Sequence, residues 1–191
     1  MRRARTAVRR GLDQALDDYL VLLAQGGSRE AFARLAARWT PKLLAFAARS
    51  LGATEAAKDA VQETWESAMR NLRRLEDPAR FRGWIYAIAA RKCADALRTK
   101  YRGQRITDAA EASAKLNDHD VDVERQAGAR IDLARALKQL PAEQRIAVSL
   151  FFGEDMDVAE IARITGAPPG TVKSRLFAAR KALRASLGDE R

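Results

Sequence analysis

Residues 167–184, APPGTVKSRLFAARKALR, place two prolines and a glycine ahead of a run with two differently armed faces. Val172, Leu176, Ala179 and Leu183 recur at three- and four-residue steps, and so do Lys173, Phe177, Arg180 and Arg184. That is the repeat of an α-helix, so the apolar set defines a core face and the cationic set a face turned outward. A basic outer face alone is an ordinary solvated surface. Phe177 departs from it, because an aromatic side chain in an exposed cationic stripe wastes apolar surface unless a partner covers it. A thymine methyl in a DNA groove is one such partner.

The preceding stretch, DVAEIARITG at 157–166, supplies the context. Asp157 followed by Glu160 reads as a capping box, Val158, Ile161 and Ile164 as an apolar helical face, and Gly166 as a helix stop. Ala167 and Pro168 make a tight turn, and Pro169 falls in the first turn of the next helix, where its missing N–H costs nothing. A short helix, a tight turn and a basic second helix form a helix-turn-helix rather than a plain αα-hairpin. The second helix of that motif enters the major groove of DNA.

The rest of the composition fits a polyanionic partner. The 191 residues carry a formal net charge of +10 and a sequence pI near 10.3, which favours nucleic acid or an acidic membrane surface. Hydrophobic residues make up 47%, enough to bury sizeable cores in one ordinary domain or two small ones. The single cysteine, Cys93, excludes an internal disulfide and reads as a small buried residue in an alanine-rich helix rather than a redox sensor. With one histidine, His119, in a polar acidic stretch, there is no zinc cluster, P-loop or nucleophile–base set. Neither an enzyme nor a cofactor is expected. No run of eighteen apolar residues is present, and the start MRRARTAVRRG lacks the apolar segment of a secretory signal, so a cytoplasmic protein without membrane insertion is expected. That start reads as a basic disordered arm, residues 1–11, rather than a transit peptide, because Asp13, Asp17 and Asp18 follow at once.

Helical periodicity runs nearly end to end, which predicts an all-α fold. A first helix covers roughly 12–25 and stops at Gly26 and Gly27; Ser28 caps a second that Gly52 ends; Thr54 caps a third reaching about Leu72. Asp77 and Pro78 start a fourth that reaches Tyr101 and Arg102. Residues 103–126 lose the periodicity and turn acidic through Asp108, Glu111, Asp118, Asp120, Asp122 and Glu124, the pattern of a flexible linker. Helical patterning resumes at about 127, is punctuated by Pro141, continues to Gly153 and ends in the helix-turn-helix. Two small helical domains joined by an acidic tether result.

Two further constellations stand out. In KDAVQETWESAMRNL, residues 58–72, Val61, Trp65 and Leu72 fall on the apolar side, leaving Asp59, Gln62, Glu63 and Glu66 as a mostly acidic stripe. It reads either as a solvated face or as a docking surface for a basic partner protein, since it would repel DNA. The fourth helix carries Phe81, Trp84, Tyr86 and Tyr101 among Arg80, Arg82, Arg91, Lys92, Arg98, Lys100 and Arg102. Some of those aromatics belong to a core, yet interleaved cations and aromatics are also what single-stranded nucleic acid requires.

DAVQETW at 59–65, FRGWIY at 81–86 and GTVKSRL at 170–176, taken with the segments around them, resemble regions 2 and 4 of the extracytoplasmic-function (group IV) bacterial sigma factors over roughly residues 28–187. The resemblance implies a region 2 domain at 12–102, the linker at 103–126 and a region 4 domain at 127–191. It implies core RNA polymerase and promoter DNA as partners, with an anti-sigma factor as a further one. By motif position, Asp59, Gln62, Glu63 and Glu66 would dock on the polymerase. Phe81, Trp84, Arg91, Lys92, Asp95 and Arg98 would meet the minus 10 element. Thr171, Lys173, Ser174, Arg175 and Phe177 would face the minus 35 element, with Arg180 at phosphate. Such elements lie about 17 base pairs apart, which is about 58 Å of B-DNA. Two positions depart from the family pattern: Arg91 stands where asparagine is frequent, and Ala178 where arginine is. The competing reading is a stand-alone helix-turn-helix regulator, which would account for residues 157–184 but not for the acidic stripe or the aromatic-cationic fourth helix.

Overall fold

The computed structural model describes the backbone of residues 2–107 and 126–187, with side chains over 11–99 and 133–187. Among the described residues the chain is all-α: α1 Arg2–Gln25, α2 Arg29–Leu51, α3 Thr54–Asn71, α4 Phe81–Thr107, α5 Gln126–Gln139, α6 Ala142–Val148, α7 Val158–Thr165 and α8 Pro169–Leu187. The acidic run Asp108–Glu124 and His119 lie outside the described residues.

Local chemistry sets most of these boundaries. The Ser28 hydroxyl accepts from the Ala31 N–H at 3.2 Å and starts α2. Gly52 ends it at φ +67°, a left-handed conformation that a side chain resists. A Cβ at Gly52 would also stand 2.7 Å from the Lys138 side chain of α5, which would have to swing aside. Thr54 does not cap α3. The extended residue is Ala53, whose carbonyl already takes the Ala57 N–H at 3.1 Å, so the helix starts one residue early and Thr54 lies inside it. Asp77 does cap, accepting from the Ala79 N–H at 3.0 Å, and Pro78–Arg80 form a 3-10 turn that leads into α4. Two helices outrun the apolar periodicity: α1 begins at Arg2, within the stretch expected as a disordered arm, and α4 continues to Thr107.

Helices α1–α4 pack around α2, which buries Leu35, Trp39, Leu43, Phe46 and Leu51. Trp39 meets Phe81 and Tyr86 edge-on at ring distances of 5.4 and 6.0 Å, and Phe46 meets Tyr86 at 5.5 Å, the geometry that aromatic quadrupoles favour. α1 is pinned to α2 by the buried Asp17 carboxylate, which accepts from Arg38 at 2.9 Å. The C-terminal helices do not stand apart. Ile146, Ala147, Leu150, Met156, Ile161, Ala162, Ile164 and Val172 belong to the same continuous core as Phe46, Ile85 and Tyr86. Among the described residues, Leu140, Val148 and Ala179 form a second cluster with half-buried Leu137, Leu176 and Leu183 around them, and Leu176 also packs against the large core.

Candidate nucleic-acid and polymerase interfaces

The helix-turn-helix is built as its residues dictate. Asp157 accepts from the Glu160 N–H at 2.7 Å, and Glu160 accepts in return from the Asp157 N–H at 2.9 Å, closing a capping box. Gly166 stops α7 at φ +68°, and α8 opens on Pro169. Val172 and Ala179 face inward, and Leu176 and Leu183 are half-buried. Lys173, Ser174, Phe177, Arg180 and Arg184 are exposed, Phe177 at 73%. Ser174 donates its hydroxyl to the Thr171 carbonyl at 2.9 Å, so in this state it serves its own helix. Thr171 and Arg175 are half-buried, and Arg175 lines a groove toward α4 instead of standing with Lys173 and Phe177.

On α3, Asp59, Gln62, Glu63 and Glu66 are exposed over buried Ala60, Val61, Thr64 and Ala68. Gln62 donates to Glu66 at 3.2 Å, and Glu63 pairs with Lys92 of α4 at 2.9 Å. Two residues expected to serve different partners are thus tied to each other. Trp65 is half-buried, with its indole N–H on the Thr40 hydroxyl at 3.0 Å.

On α4 the aromatics separate. Phe81 is 1% exposed and Tyr86 equally enclosed, so both are core and neither faces a strand of DNA. The Phe81 ring, expected at the minus 10 element, instead lies in the core, edge-on against Trp39. Trp84 is half-buried, with its ring 6.0 Å from that of Phe81, and lines a groove of about 700 Å³ with Arg80, Arg82, Met156 and Ile164. Farther along, Arg91, Asp95 and Arg98 are exposed, and Asp95 pairs with Arg98 at 2.9 Å. They share a second groove, of about 510 Å³, with Glu143, Arg163 and Arg175. Cys93, wholly buried on the inner face of α4, has its thiol pushed up to about 12 by burial and is unreactive.

The sequence reading missed a cluster around Glu154, in the loop after α6. One carboxylate oxygen of Glu154 takes the Arg49 guanidinium of α2, and the other takes the Tyr86 hydroxyl of α4. The Glu154 backbone carbonyl accepts from Arg82. Burial first, and then the bond to Glu154, carry the Tyr86 hydroxyl far above the ordinary phenol value. The only trace in the sequence is an acidic pair, Glu154 and Asp155, directly after a glycine, a pattern shared with any helix end. Among the described residues no group of three or more histidine, cysteine or carboxylate side chains could hold a metal, and no helix is long and apolar enough to cross a membrane.

Comparison with known proteins agrees with this architecture. Residues 35–103 match the family profile "Sigma-70 region 2", and residues 130–183 match "Sigma-70, region 4". The chain is 32% identical to the ECF RNA polymerase sigma factor SigM of Mycobacterium tuberculosis, over 93% of this chain and 88% of that protein. It is 34% identical to the RNA polymerase sigma factor CarQ of Myxococcus xanthus, over 85% of this chain and 92% of CarQ. Among solved structures, CnrH in complex with the cytosolic domain of CnrY aligns with a TM-score of 0.66 and 29% identity, covering 92% of this chain and 99% of the matched one. With both halves of the fold matched in their chain order, this chain belongs to the extracytoplasmic-function family of RNA polymerase sigma factors.

Proposed function

We propose that the chain binds core RNA polymerase through the α3 stripe, engages the minus 10 strand along α4 and reads the minus 35 duplex with α8. The observation that carries this reading is that one chain presents two exposed surfaces of opposite character. Asp59, Gln62, Glu63 and Glu66 stand outward on α3, while Lys173, Phe177 and Arg180 stand outward on α8. The acidic surface suits a basic protein and repels phosphate; the basic surface suits phosphate and offers an aromatic ring to a base methyl. On α4 the strand-facing set is Trp84, Arg91, Lys92, Asp95 and Arg98, with Phe81 holding the helix from beneath. The sigma factor works in the cytoplasm, needs no cofactor, and is held in check by an anti-sigma protein, as the complex of the sigma factor RpoE with the anti-sigma factor NepR from Bartonella quintana exemplifies for a structural relative.

Co-purification with core RNA polymerase, followed by run-off transcription on a promoter library, tests the assignment. A sigma factor forms a stable complex with core and yields transcripts from a subset of promoters. A stand-alone regulator would bind duplex DNA with no core polymerase in the complex and no transcript that depends on it, and that result would overturn the reading.

A further inference from the structure

One face of α1 takes no part in the sites above. The helix lies ahead of both matched profiles, the first of which begins at residue 35. Its inner face is set by buried Leu20 and Val21 and by Asp17, which holds Arg38. At about 100° per residue, Leu12, Ala15, Leu16, Tyr19, Leu22 and Leu23 gather within about 120° of arc on another side of the helix. The bundle leaves that arc largely in solvent: Leu12 is 68% exposed, Tyr19 57%, Leu22 56% and Leu23 40%. Single exposed leucines are ordinary on a protein surface, but an aligned stripe of them marks a surface that something covers.

The charges around the stripe select what covers it. The sequence of α1 opens with Arg2, Arg3, Arg5, Arg9 and Arg10. Arg73 and Arg74 stand exposed on the turn Leu72–Arg74, whose Leu72 carbonyl accepts from the Gln25 side chain of α1 at 2.9 Å. The carboxylates of α1 are engaged from within the protein. Arg38 holds Asp13 at 3.3 Å and Asp17 at 2.9 Å, and the Gln14 amide donates to Asp18 at 2.7 Å. Duplex DNA would satisfy the arginines and leave the leucines in water. A second copy fits poorly, because the antiparallel register that sets Leu12 against Leu22 and Ala15 against Tyr19 also brings the two Asp18 carboxylates together. An anionic lipid surface answers both needs, with hydrocarbon for the leucines and headgroup phosphate for the arginines. Tyr19 suits the boundary between them, its ring apolar and its hydroxyl wet.

We propose that α1 is a membrane-surface helix, which lays the chain against an anionic bilayer through Leu12, Tyr19, Leu22 and Leu23 and through its arginine-rich start. The helix lies on the bilayer and does not cross it; no helix among the described residues is long and apolar enough to span one. A single helix of this kind adsorbs reversibly, and the attraction weakens as salt screens the arginines.

The test uses the full chain and its L12S/Y19S/L22S variant, which keeps every arginine. Each is sedimented with vesicles of phosphatidylcholine and phosphatidylglycerol, and with vesicles of phosphatidylcholine alone. The parent should sediment with the anionic vesicles, release as salt is raised, and stay in solution beside the neutral ones. The variant should partition about tenfold more weakly, with helical circular dichroism unchanged because the three side chains are exposed. If the triple variant loses helicity, L12S alone carries the test, since Leu12 is the most exposed of the stripe, and its partition should fall severalfold. Equal binding by parent and variants would overturn the proposal by reducing the attraction to the arginines. A parent that binds neither vesicle would overturn it outright. Light scattering that shows a dimeric parent and a monomeric variant, with no vesicle binding, would assign the stripe to a second copy instead. Co-purification with core RNA polymerase reports separately on the sigma-factor reading, which none of these outcomes touches.

Discussion

Phe81 and Phe177 are the same residue in similar company, each set among arginines, and their fates are opposite. Phe177 is 73% exposed on α8, and Phe81 is 1% exposed against Trp39. Phe177→Ala is therefore expected to leave the unfolding free energy within about 0.5 kcal/mol of the parent and to weaken minus 35 duplex binding by about 1–3 kcal/mol. Phe81→Ala is expected to cost about 3–5 kcal/mol of folding stability by opening a cavity. Parallel urea and fluorescence-anisotropy titrations separate the two, and a destabilised Phe177→Ala would show that its ring packs rather than reads. Cys93 supplies a pH signature. Its thiol is raised from 9.0 to about 12 by burial, so the fold keeps a proton that the unfolded chain releases. Stability is unaffected by this group below pH 9 and is lost as pH rises from there toward about 12, with a limiting slope of about 1.4 kcal/mol per pH unit. Cys93→Ala should flatten that part of the alkaline decline. Urea midpoints at several pH values up to about 11 check it, and equal slopes in parent and variant would refute it.

Helices α3 and α4 act as a pair because Glu63 and Lys92 join them at 2.9 Å. Glu63→Lys consequently does two things: it reverses the sign of the acidic stripe and leaves Lys92 facing a like charge. An exposed pair contributes about 0–1 kcal/mol to stability, so the variant should still fold, while its affinity for core polymerase drops severalfold and its binding to DNA stays level or rises. The double variant Glu63→Lys with Lys92→Glu restores the pair but not the stripe. If core binding returns in the double variant, the pair mattered and the stripe did not. Where helices begin and end was legible wherever the backbone chemistry is local. The Asp157–Glu160 box and the Ser28 cap follow from side chains within three residues of the groups they satisfy, and the left-handed Gly166 from having no side chain. Asp157→Ala should accordingly lower the urea midpoint by the equivalent of about 1 kcal/mol. Thr54 was misread because Ala53, directly after Gly52, already takes the extended conformation of a cap. The far ends of α1 and α4 were missed for a different reason. Arginine and alanine are good helix formers, so a helix runs through RRARTAVRR, residues 2–10, without any apolar face to announce it.

The union of the two regions could not be read from the sequence at all. Ile146, Leu150, Ile161 and Ile164 have the spacing of a private core for the C-terminal helices, and periodicity says only that they are buried, not against what. In the fold they join Phe46, Ile85 and Tyr86, while the cluster that the C-terminal helices keep to themselves has just Leu140, Val148 and Ala179 at its centre. Glu154 was equally silent, since a carboxylate after a glycine carries no sign of a tyrosine 68 positions upstream. The shared core has a thermodynamic consequence. Neither region can unfold without exposing the apolar surface of the other, so the full chain should melt in one calorimetric transition whose van't Hoff and calorimetric enthalpies agree. Weakening the Glu154 contact with Arg49 and Tyr86 removes a specific tie between the regions but leaves each its own helices. E154Q should then melt in two steps, and the C-terminal region should go first because its separate cluster buries so little. A parent that already melts in two steps would mean that the interface is too weak to couple the regions. An E154Q variant that keeps a single transition at the parental temperature would mean that apolar packing, not Glu154, joins them.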